Sequence, residues 1–317
     1  MSPGRPLTTA NGYIIDQMGN RLRLQSVNWY GASDTDNIVM GLDINSVSSI
    51  AALIKSISSN SVRLPFSNQM LHQPDPVATD RLTGNPHLLG KSPLEVFDAV
   101  VEALAEEGLL VIPNNHTTTR TWCCNYDNNA LWFSPGQTED EWISDWAPLI
   151  QRYRHIPQVV GADLRNEVRP GPIGGRGTTS IGLGLAEATG NHLLSLNSDL
   201  LIVVEGINYA ADLRQVATLP IDLSRPEQLV YSPHVYSWFQ GIDGRSLGAH
   251  SYEELCQALD VAWGDLGPIP KGDGNGNLPT EAGQPFPLWI SEMGVRPIDQ
   301  PAFLKNLCSY IQEWDLS

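Results

Sequence analysis

The sequence predicts a single α/β domain over residues 1–317, in which buried parallel strands alternate with helices. Two apolar runs, at 109–112 and 200–204, are continuous, which is typical of parallel strands covered on both faces. Seven strands are predicted, at 23–29, 61–66, 108–116, 159–166, 200–206, 229–236 and 287–293. Their strict alternation with helices favours a (β/α)8 barrel of the TIM type, and an open doubly wound sheet is the alternative architecture.

Start signals mark the helices between these strands. Ser92 and Glu95 have the spacing of a capping box, and Pro93 stands at the first helical position, where proline is well tolerated. Signals of this kind precede helical patterns at 92–95, 138–141, 251–254 and 299–301. Segments rich in glycine and proline at 168–180 and 264–286 follow strands, and we interpret them as loops at the mouth of a barrel.

Charge and composition exclude several classes of protein. A net charge of −16 argues against a nucleic-acid partner, because phosphate binding needs a basic surface. No apolar stretch reaches the roughly 18 residues that a membrane span requires. The four cysteines are too few for a disulfide scaffold and match no zinc pattern. Cys123 and Cys124 are adjacent, whereas Cys256 and Cys308 lie in predicted helices and either pair or remain thiols.

Polar residues gather at the carboxyl ends of the predicted strands. They are Arg63, Asn115, His116, Asn166, Glu167, Glu205, His234, Tyr236 and Glu292. In a (β/α) barrel these ends form one face, and active sites lie there. Burying such groups is costly unless they pair with one another or with a substrate, so we expect one shared site. Glu205 matches no motif, and we predict a buried salt bridge or a rim position for it.

Two of these residues, Glu167 and Glu292, suggest the cleavage of a glycosidic bond. A retaining glycosidase holds an ionised nucleophile about 5–5.5 Å from a protonated carboxylic acid, on opposite sides of the anomeric carbon. Asn166 and Glu167 are neighbours, and neighbours in a strand point to opposite faces. Both therefore reach one cleft only if the strand bends or ends there.

The other polar residues suit supporting roles around that pair. Arg63 and the Tyr236 hydroxyl would keep a nucleophile ionised, and Asn166 would bind the 2-hydroxyl group of the sugar. His116 and His234 would orient carboxylates or hydroxyl groups. Metal binding by these histidines is the less favoured alternative, because no carboxylate motif of a metallohydrolase accompanies them, and we expect neither a metal nor a cofactor.

Tryptophans near strand ends provide candidate surfaces for sugar rings. Trp29, Trp122 and Trp238 are the substrate-binding candidates, because flat rings stack on sugar faces, and plain packing is an equally weighted alternative. Those in helical patterns are expected to pack in the core, namely Trp142, Trp146, Trp263 and Trp314.

The motifs together resemble glycoside hydrolase family 5, the large family of cellulases and mannanases, over nearly the whole chain. The matching segments are 61–66, 115–116, 165–167, 234–236 and 289–294, in the order of the family. The variants at 122–124 and 166–169 look most like a fungal branch. The resemblance implies that Glu167 is the acid/base and Glu292 the nucleophile. It also implies a (β/α)8 barrel that acts on β-linked oligosaccharides or polysaccharides.

Three departures from the family pattern accompany this resemblance. Pro113 lies inside the third strand, where it removes a ladder donor, and Val168 replaces a proline that often follows the acid/base. Family members continue into an eighth strand that carries a stacking aromatic residue, whereas this chain ends at Ser317. We therefore expect a barrel without its C-terminal eighth strand.

The expected activity is that of a retaining β-glycosidase, foremost an endo-β-1,4-glucanase. A β-mannanase, an exo-β-glycosidase and a glycolipid hydrolase of the same family remain open. An inactive carbohydrate-binding barrel is the alternative from another class, because the eighth strand is absent. We expect a secreted, extracellular monomer whose signal peptide is not in this chain, since residues 1–6 lack an apolar core.

Overall fold

The computed structural model describes residues 4–122, 130–134, 136–169, 180–241, 243–268, 285–299 and 301–317, without the side chains of 180–183. The predicted mouth loops lie largely outside the described residues, and Cys123 and Cys124 lie outside them entirely.

The described residues contain strands, α-helices and short 3-10 helices. The strands are β1 (Thr8–Ala10), β2 (Tyr13–Ile15), β3 (Ser26–Asn28), β4 (Ser61–Ser67), β5 (Leu110–Thr117), β6 (Gly161–Asp163), β7 (Leu201–Glu205), β8 (Leu229–Ser232), β9 (His234–Tyr236) and β10 (Glu292–Gly294). The α-helices are α1 (Val47–Ser56), α2 (Asn68–Leu71), α3 (Pro93–Glu106), α4 (Glu139–Tyr153), α5 (Ser180–Leu196), α6 (Tyr252–Ala262) and α7 (Ala302–Glu313). The 3-10 helices are Thr79–Leu82, Pro86–Leu88, Arg214–Ala217, Pro226–Gln228, Leu247–Ala249, Gly264–Leu266 and Pro297–Asp299.

The strands form a parallel sheet in chain order, which confirms the predicted barrel type. β3 to β8 follow one another without exchange, unlike the reversed order of a doubly wound sheet. β9 continues β8 after Pro233 and pairs in parallel with β10. β5 runs on through Pro113, which lies opposite Leu64 of β4.

The curved sheet is not closed by a ladder within the described part of the chain. No ladder there joins β10 to β3, although the Asn28 side chain donates to the Ser291 carbonyl at 2.9 Å. The N–H of Ile290 donates to the carbonyl of Ser317 at 2.9 Å. The fold is therefore of the (β/α)8 type without closure.

Capping boxes begin three of the helices, as predicted. The boxes pair Ser92 with Glu95 in α3, Thr138 with Glu141 in α4 and Ser251 with Glu254 in α6. The signal at 299–301 was interpreted wrongly in one respect. Asp299 lies in a 3-10 helix, and α7 follows Pro301 without a side-chain cap.

An apolar cluster fills the amino-terminal half of the barrel interior. Its members are Leu7, Ile14, Leu24, Leu110, Ile112, Val160, Leu201, Val203, Val230 and Trp289. Ile14 belongs to the β1–β2 hairpin and Leu7 directly precedes it. The hairpin was not predicted, although Asn11-Gly12 is a strong turn signal. Both turn residues have positive φ, as a type I′ turn requires. The hairpin thus plugs the end of the barrel opposite the polar residues.

The helical tryptophans and the cysteines have structural positions. The four tryptophans predicted to pack are buried, namely Trp142, Trp146, Trp263 and Trp314. Cys256 is buried in α6 and Cys308 is exposed in α7, and no disulfide joins them, so the pairing alternative is wrong. Within the described ranges, no helix combines the length and hydrophobicity needed to traverse a lipid bilayer.

Candidate active site

The interior face of the barrel changes from apolar to polar along each strand. In β5, the inward positions Leu110 and Ile112 are followed by Asn114 and His116. Side chains alternate between faces along a strand, so the same face presents both kinds of residue. Most of the predicted polar residues are therefore gathered above the apolar cluster, at the carboxyl ends of the strands.

Arg63 lies at the centre of this polar layer, with a side chain that is 0% exposed. Its guanidinium donates to side chains from five other positions: Asp163 (2.6 Å), Asn28 (3.1 Å), Asn166 (2.9 Å), Glu205 (2.6 Å) and, at shorter range, Glu292. Burial opposes its charge, but the carboxylates of Asp163, Glu292 and Glu205 raise the pKa of Arg63 above its ordinary value. Arg63 thus organises the site as a buried cation.

Glu292 begins β10 and is held as a carboxylate. One oxygen accepts from Arg63, and the other accepts from the Tyr236 hydroxyl at 2.5 Å. Burial would raise the pKa of Glu292, but the charges of His234 and Arg63 and the Tyr236 hydrogen bond hold it well below its usual value. Glu292 therefore stays ionised, which is the state that a nucleophile needs.

Glu167 lies just beyond β6, in the left-handed backbone region with a φ of 46°. β6 ends at Asp163, so the alternation of a strand no longer applies at Asn166 and Glu167. Both side chains reach the site, as Arg63 bonds the Asn166 Oδ1 and His234 lies 3.0 Å from Glu167 Oε1. The structure thus resolves the conflict between these neighbours by ending the strand.

The two glutamates face each other at short range. Single side-chain ligand atoms of Glu167, His234 and Glu292 all lie within 4.8 Å of one another. This separation is close to the roughly 5–5.5 Å of retaining glycosidases and below the roughly 6.5–9.5 Å of inverting ones. The three groups could also bind a metal, but a metal ligand must be a neutral imidazole. Burial opposes the charge of His234, yet Glu292 and Glu205 raise its pKa to about 9, which favours the imidazolium.

The two histidines have opposite electrostatic environments. His116 is neutral, because burial lowers its pKa to about 3, and its Nδ1 lies 2.8 Å from the Asn114 Oδ1. The Tyr30 ring packs edge-on against it at 5.4 Å. His234 has Nε2 at 3.0 Å from the Ser291 hydroxyl. One histidine is thus a neutral group and the other a cation between carboxylates.

Two of the three candidate tryptophans are exposed at the mouth. Trp238 is 45% exposed and stacks on Tyr236 with ring centroids 4.4 Å apart, and Trp122 is 56% exposed. Trp29 is only 6% exposed and donates its indole N–H to the Met40 carbonyl, a placement that favours packing over sugar stacking.

Several members of the site are not among the predicted site residues. Asn28 and Asp163 end β3 and β6 and bond Arg63, while Ser291 contacts His234 and Arg169 donates to the Glu167 carbonyl at 3.1 Å. Asn28 and Asp163 occupy strand ends, so the positional signal that indicated the others applied to them. The buried salt bridge predicted for Glu205 is confirmed by its pairing with Arg63.

A barrel that opposes two carboxylates at the carboxyl ends of its strands has the architecture of a glycoside hydrolase. Residues 17–263 match the family described as Cellulase (glycosyl hydrolase family 5). The chain belongs to glycosyl hydrolase family 5.

Individual relatives agree with this assignment. The chain is 31% identical over 243 residues to an endoglucanase of Paenibacillus polymyxa, covering 72% of this chain and 59% of that protein. It is 30% identical over 252 residues to a glycosyl hydrolase 5 family protein of Chamaecyparis obtusa, covering 74% of this chain and 44% of that protein. The chain thus spans about half the length of these relatives, and the predicted fungal branch stays a prediction.

Solved structures share the fold. The catalytic domain of the major endoglucanase from Xanthomonas campestris pv. campestris superposes with a TM-score of 0.80 at 22% identity, covering 98% of this chain and 88% of that one. An endocellulase of Pyrococcus horikoshii in complex with cellotetraose gives a TM-score of 0.76 at 23% identity, with the same coverage.

Proposed function

We propose that this protein is a retaining endo-β-1,4-glucanase that hydrolyses β-linked glucans by double displacement. The observation that carries the proposal is the opposition of Glu167 and Glu292 within 4.8 Å, with Glu292 held ionised by Arg63 and Tyr236. A separation this short leaves no room for a water molecule between the second carboxylate, Glu292, and the anomeric carbon, so it favours retention over inversion.

The first step transfers the sugar to the enzyme. Glu167 donates its proton to the leaving-group oxygen while an oxygen of Glu292 bonds to the anomeric carbon and the glycosidic bond breaks. The attacking oxygen of Glu292 gives up its hydrogen bond from either Tyr236 or Arg63. The other hydrogen bond stays in place and orients the carboxylate. Asn166 is the donor for the 2-hydroxyl group, because Arg63 occupies its Oδ1 and so fixes its amide plane.

The second step returns the enzyme to its starting state. Glu167, now a carboxylate, takes a proton from water, whose oxygen bonds to the anomeric carbon as the bond to Glu292 breaks. Two displacements at one carbon retain the β-configuration. His234 supports both steps, because its positive charge lies between the carboxylates, and neutral His116 serves sugar hydroxyl groups without competing for a proton.

Attack within a chain, rather than at its end, is supported by the aromatic rings. Trp122 packs against Tyr30, after β5 and β3, and Trp238 stacks on Tyr236, after β9. Two exposed rings that follow different strands suit a substrate of several sugar units. Relatives that are an endoglucanase and an endocellulase support the same substrate.

We propose an extracellular monomer with a β-glycan as its partner. One relative is named a major extracellular endoglucanase, from Xanthomonas campestris pv. campestris, at 26% identity. The negative net charge of −16 suits a neutral polymer and disfavours nucleic acid. Size-exclusion chromatography with light scattering tests the monomer directly.

The test is turnover of 4-nitrophenyl β-cellobioside by the parent and by Glu292→Gln. We expect the parent to release nitrophenol and the variant to lose activity by a factor of about 10⁴ or more, because the nucleophile is gone. Proton NMR of the product from cellotetraose should show the β-anomer first. A first-formed α-anomer would refute retention.

Two further measurements separate the alternatives within the family. An endo-acting enzyme lowers the viscosity of carboxymethylcellulose long before many reducing ends appear, whereas an exo-acting enzyme does not. Faster hydrolysis of mannan than of β-1,4-glucan would favour the mannanase. Binding of cellotetraose without turnover, by a folded parent, would favour the inactive carbohydrate-binding barrel.

A further inference from the structure

Glu205 contacts both halves of the catalytic apparatus but has no role in the two displacements. It ends β7, its side chain is 1% exposed, and its two carboxylate oxygens accept from different partners. Oε1 accepts from Nη2 of Arg63 at 2.6 Å, and Oε2 accepts from the backbone N–H of Glu167 at 2.7 Å. Each oxygen is thus committed to one side of the site.

The backbone that Glu205 holds is strained. Glu167 has a φ of 46°, in the left-handed region where the Cβ of a residue with a side chain crowds the following carbonyl oxygen. Such a conformation persists only where the surroundings over-determine it. At Glu167 the N–H is bound by Glu205, and the carbonyl accepts from Arg169 at 3.1 Å. Charged side chains therefore fix both sides of the residue that carries the acid/base carboxyl.

The other oxygen of Glu205 leads to the nucleophile. The Arg63 guanidinium that it binds also donates to Glu292 and to Asn166. A short, charge-assisted path therefore runs from the Glu167 backbone through Glu205 and Arg63 to the Glu292 carboxylate. The hydrogen bonds of Glu205 to the Glu167 backbone and to Arg63 are buried, and that of Arg63 to Glu292 is partly buried, so a displacement of Glu205 acts on both carboxyl groups.

We infer that Glu205 is a positioning residue, whose two oxygens tie the Glu167 backbone to Arg63 and so set the separation of the acid/base and the nucleophile. This inference rests on the proposed function. Burial and the charge of Asp163 raise the pKa of Glu205, whereas His234, Arg63 and the hydrogen bond from the Glu167 backbone oppose that rise and support the charged form. The charged groups that face it are Arg63, Asp163 and His234, whose Nε2 lies 3.6 Å from Oε2.

The experiment compares Glu205→Gln with Asp163→Asn on two substrates. The amide of E205Q matches the carboxylate in shape, but its NH2 must face either the Arg63 donor or the Glu167 N–H. Asp163 accepts from Nε of the same guanidinium, so D163N disturbs Arg63 by loss of a different hydrogen bond. The substrates are cellotetraose, whose leaving group needs protonation, and 2,4-dinitrophenyl β-cellobioside, whose leaving group does not.

We expect E205Q to lower kcat/KM for cellotetraose by about 10²-fold, the usual effect of misplacing a reacting group by about 1 Å. The loss on the dinitrophenyl substrate should be about tenfold smaller, because general acid catalysis contributes nothing there. D163N should lower both values by one common factor. Thermal unfolding of each variant checks that it is folded. If E205Q does not fold, Glu205→Asp replaces it, because that shorter carboxylate keeps the charge but cannot reach both donors.

The losses on the two substrates distinguish a positioning role of Glu205 from a role as a partner of Arg63 alone. Equal losses on the two substrates for E205Q, as for D163N, would overturn the inference and leave Glu205 as a partner of Arg63 alone. No loss on either substrate would overturn it as well. A parent that turns over neither substrate would refute the proposed function itself, and that result is visible before any Glu205 variant is measured.

Discussion

Removal of the buried cation by Arg63→Met should cost a large part of the stability of the fold. The substitution keeps much of the side-chain volume but leaves the carboxylates of Asp163, Glu205 and Glu292 without their common partner. Removing one partner of a buried ion pair costs about 3–5 kcal/mol. Since domains are stable by about 5–15 kcal/mol, R63M should lose about a fifth or more of the free energy of unfolding.

The loss should depend on pH in a direction that the structure fixes. Without Arg63, burial raises the folded-state pKa of Glu205 and Glu292 above the unfolded value of about 4. A carboxyl with a raised folded pKa is neutral in both states at low pH, so its penalty is absent there. The penalty grows as the pH rises from the unfolded value towards the folded one. R63M should therefore be closest to the parent near pH 4 and furthest from it near pH 8.

Urea unfolding between pH 4 and 8 measures this difference, with Arg152→Met as the matched control. Arg152 pairs with Asp98 on the surface, where its side chain is 43% exposed. Exposed pairs contribute about 0–1 kcal/mol, so R152M should change little at any pH. If R63M lost no more than R152M, or if its loss did not grow with pH, the role assigned to the buried cation would be wrong.

Three substitutions at the mouth test single contacts. Tyr236→Phe removes the donor at 2.5 Å from Glu292, so the pKa of Glu292 should rise. The acidic limb of the pH profile of kcat/KM should then move to higher pH, and an unmoved limb would contradict this role of Tyr236. Gly294→Ala places a Cβ 2.5 Å from the Tyr236 ring and should destabilise the fold by about 1–3 kcal/mol in thermal unfolding, whereas an unchanged midpoint would contradict the close approach. Trp238→Ala should weaken cellotetraose binding about tenfold by calorimetry in a Glu292→Gln background, and equal affinity would assign the ring to packing.

The fold was predictable because its strands are buried on both faces. Continuous apolar runs at 109–112 and 200–204 predicted the beginning of β5 and most of β7, and the alternation with helices predicted the barrel type. The ends were less predictable. The predicted strand 159–166 ends at Asp163, the last residue of β6, because the chain turns there and brings Glu167 into the site. The predicted strand 229–236 is divided into β8 and β9 at Pro233, which has no N–H to donate to a ladder.

The sequence predicted the site residues that lie in recognisable motifs. It did not predict residues that belong to the site only because of their position inside the barrel. Glu167 and Glu292 carry recognisable motifs, whereas Asn28 and Asp163 are ordinary residues at strand ends that matter because Arg63 reaches them. Trp29 follows a strand, as the exposed Trp122 and Trp238 do, but its ring is buried. Whether such a ring is exposed depends on how the neighbouring loop folds, which the pattern of residue types does not predict.

The division of the barrel interior into an apolar half and a charged half implies an order of events on heating. The amides of Leu201 and Val203 lie in ladders over the apolar cluster, so they should exchange with deuterium only on global unfolding. The Glu167 amide is bound to a side chain, so it can open locally. Activity should then disappear at a lower temperature than the fold, and a sugar bound in the cleft should bring the two temperatures together.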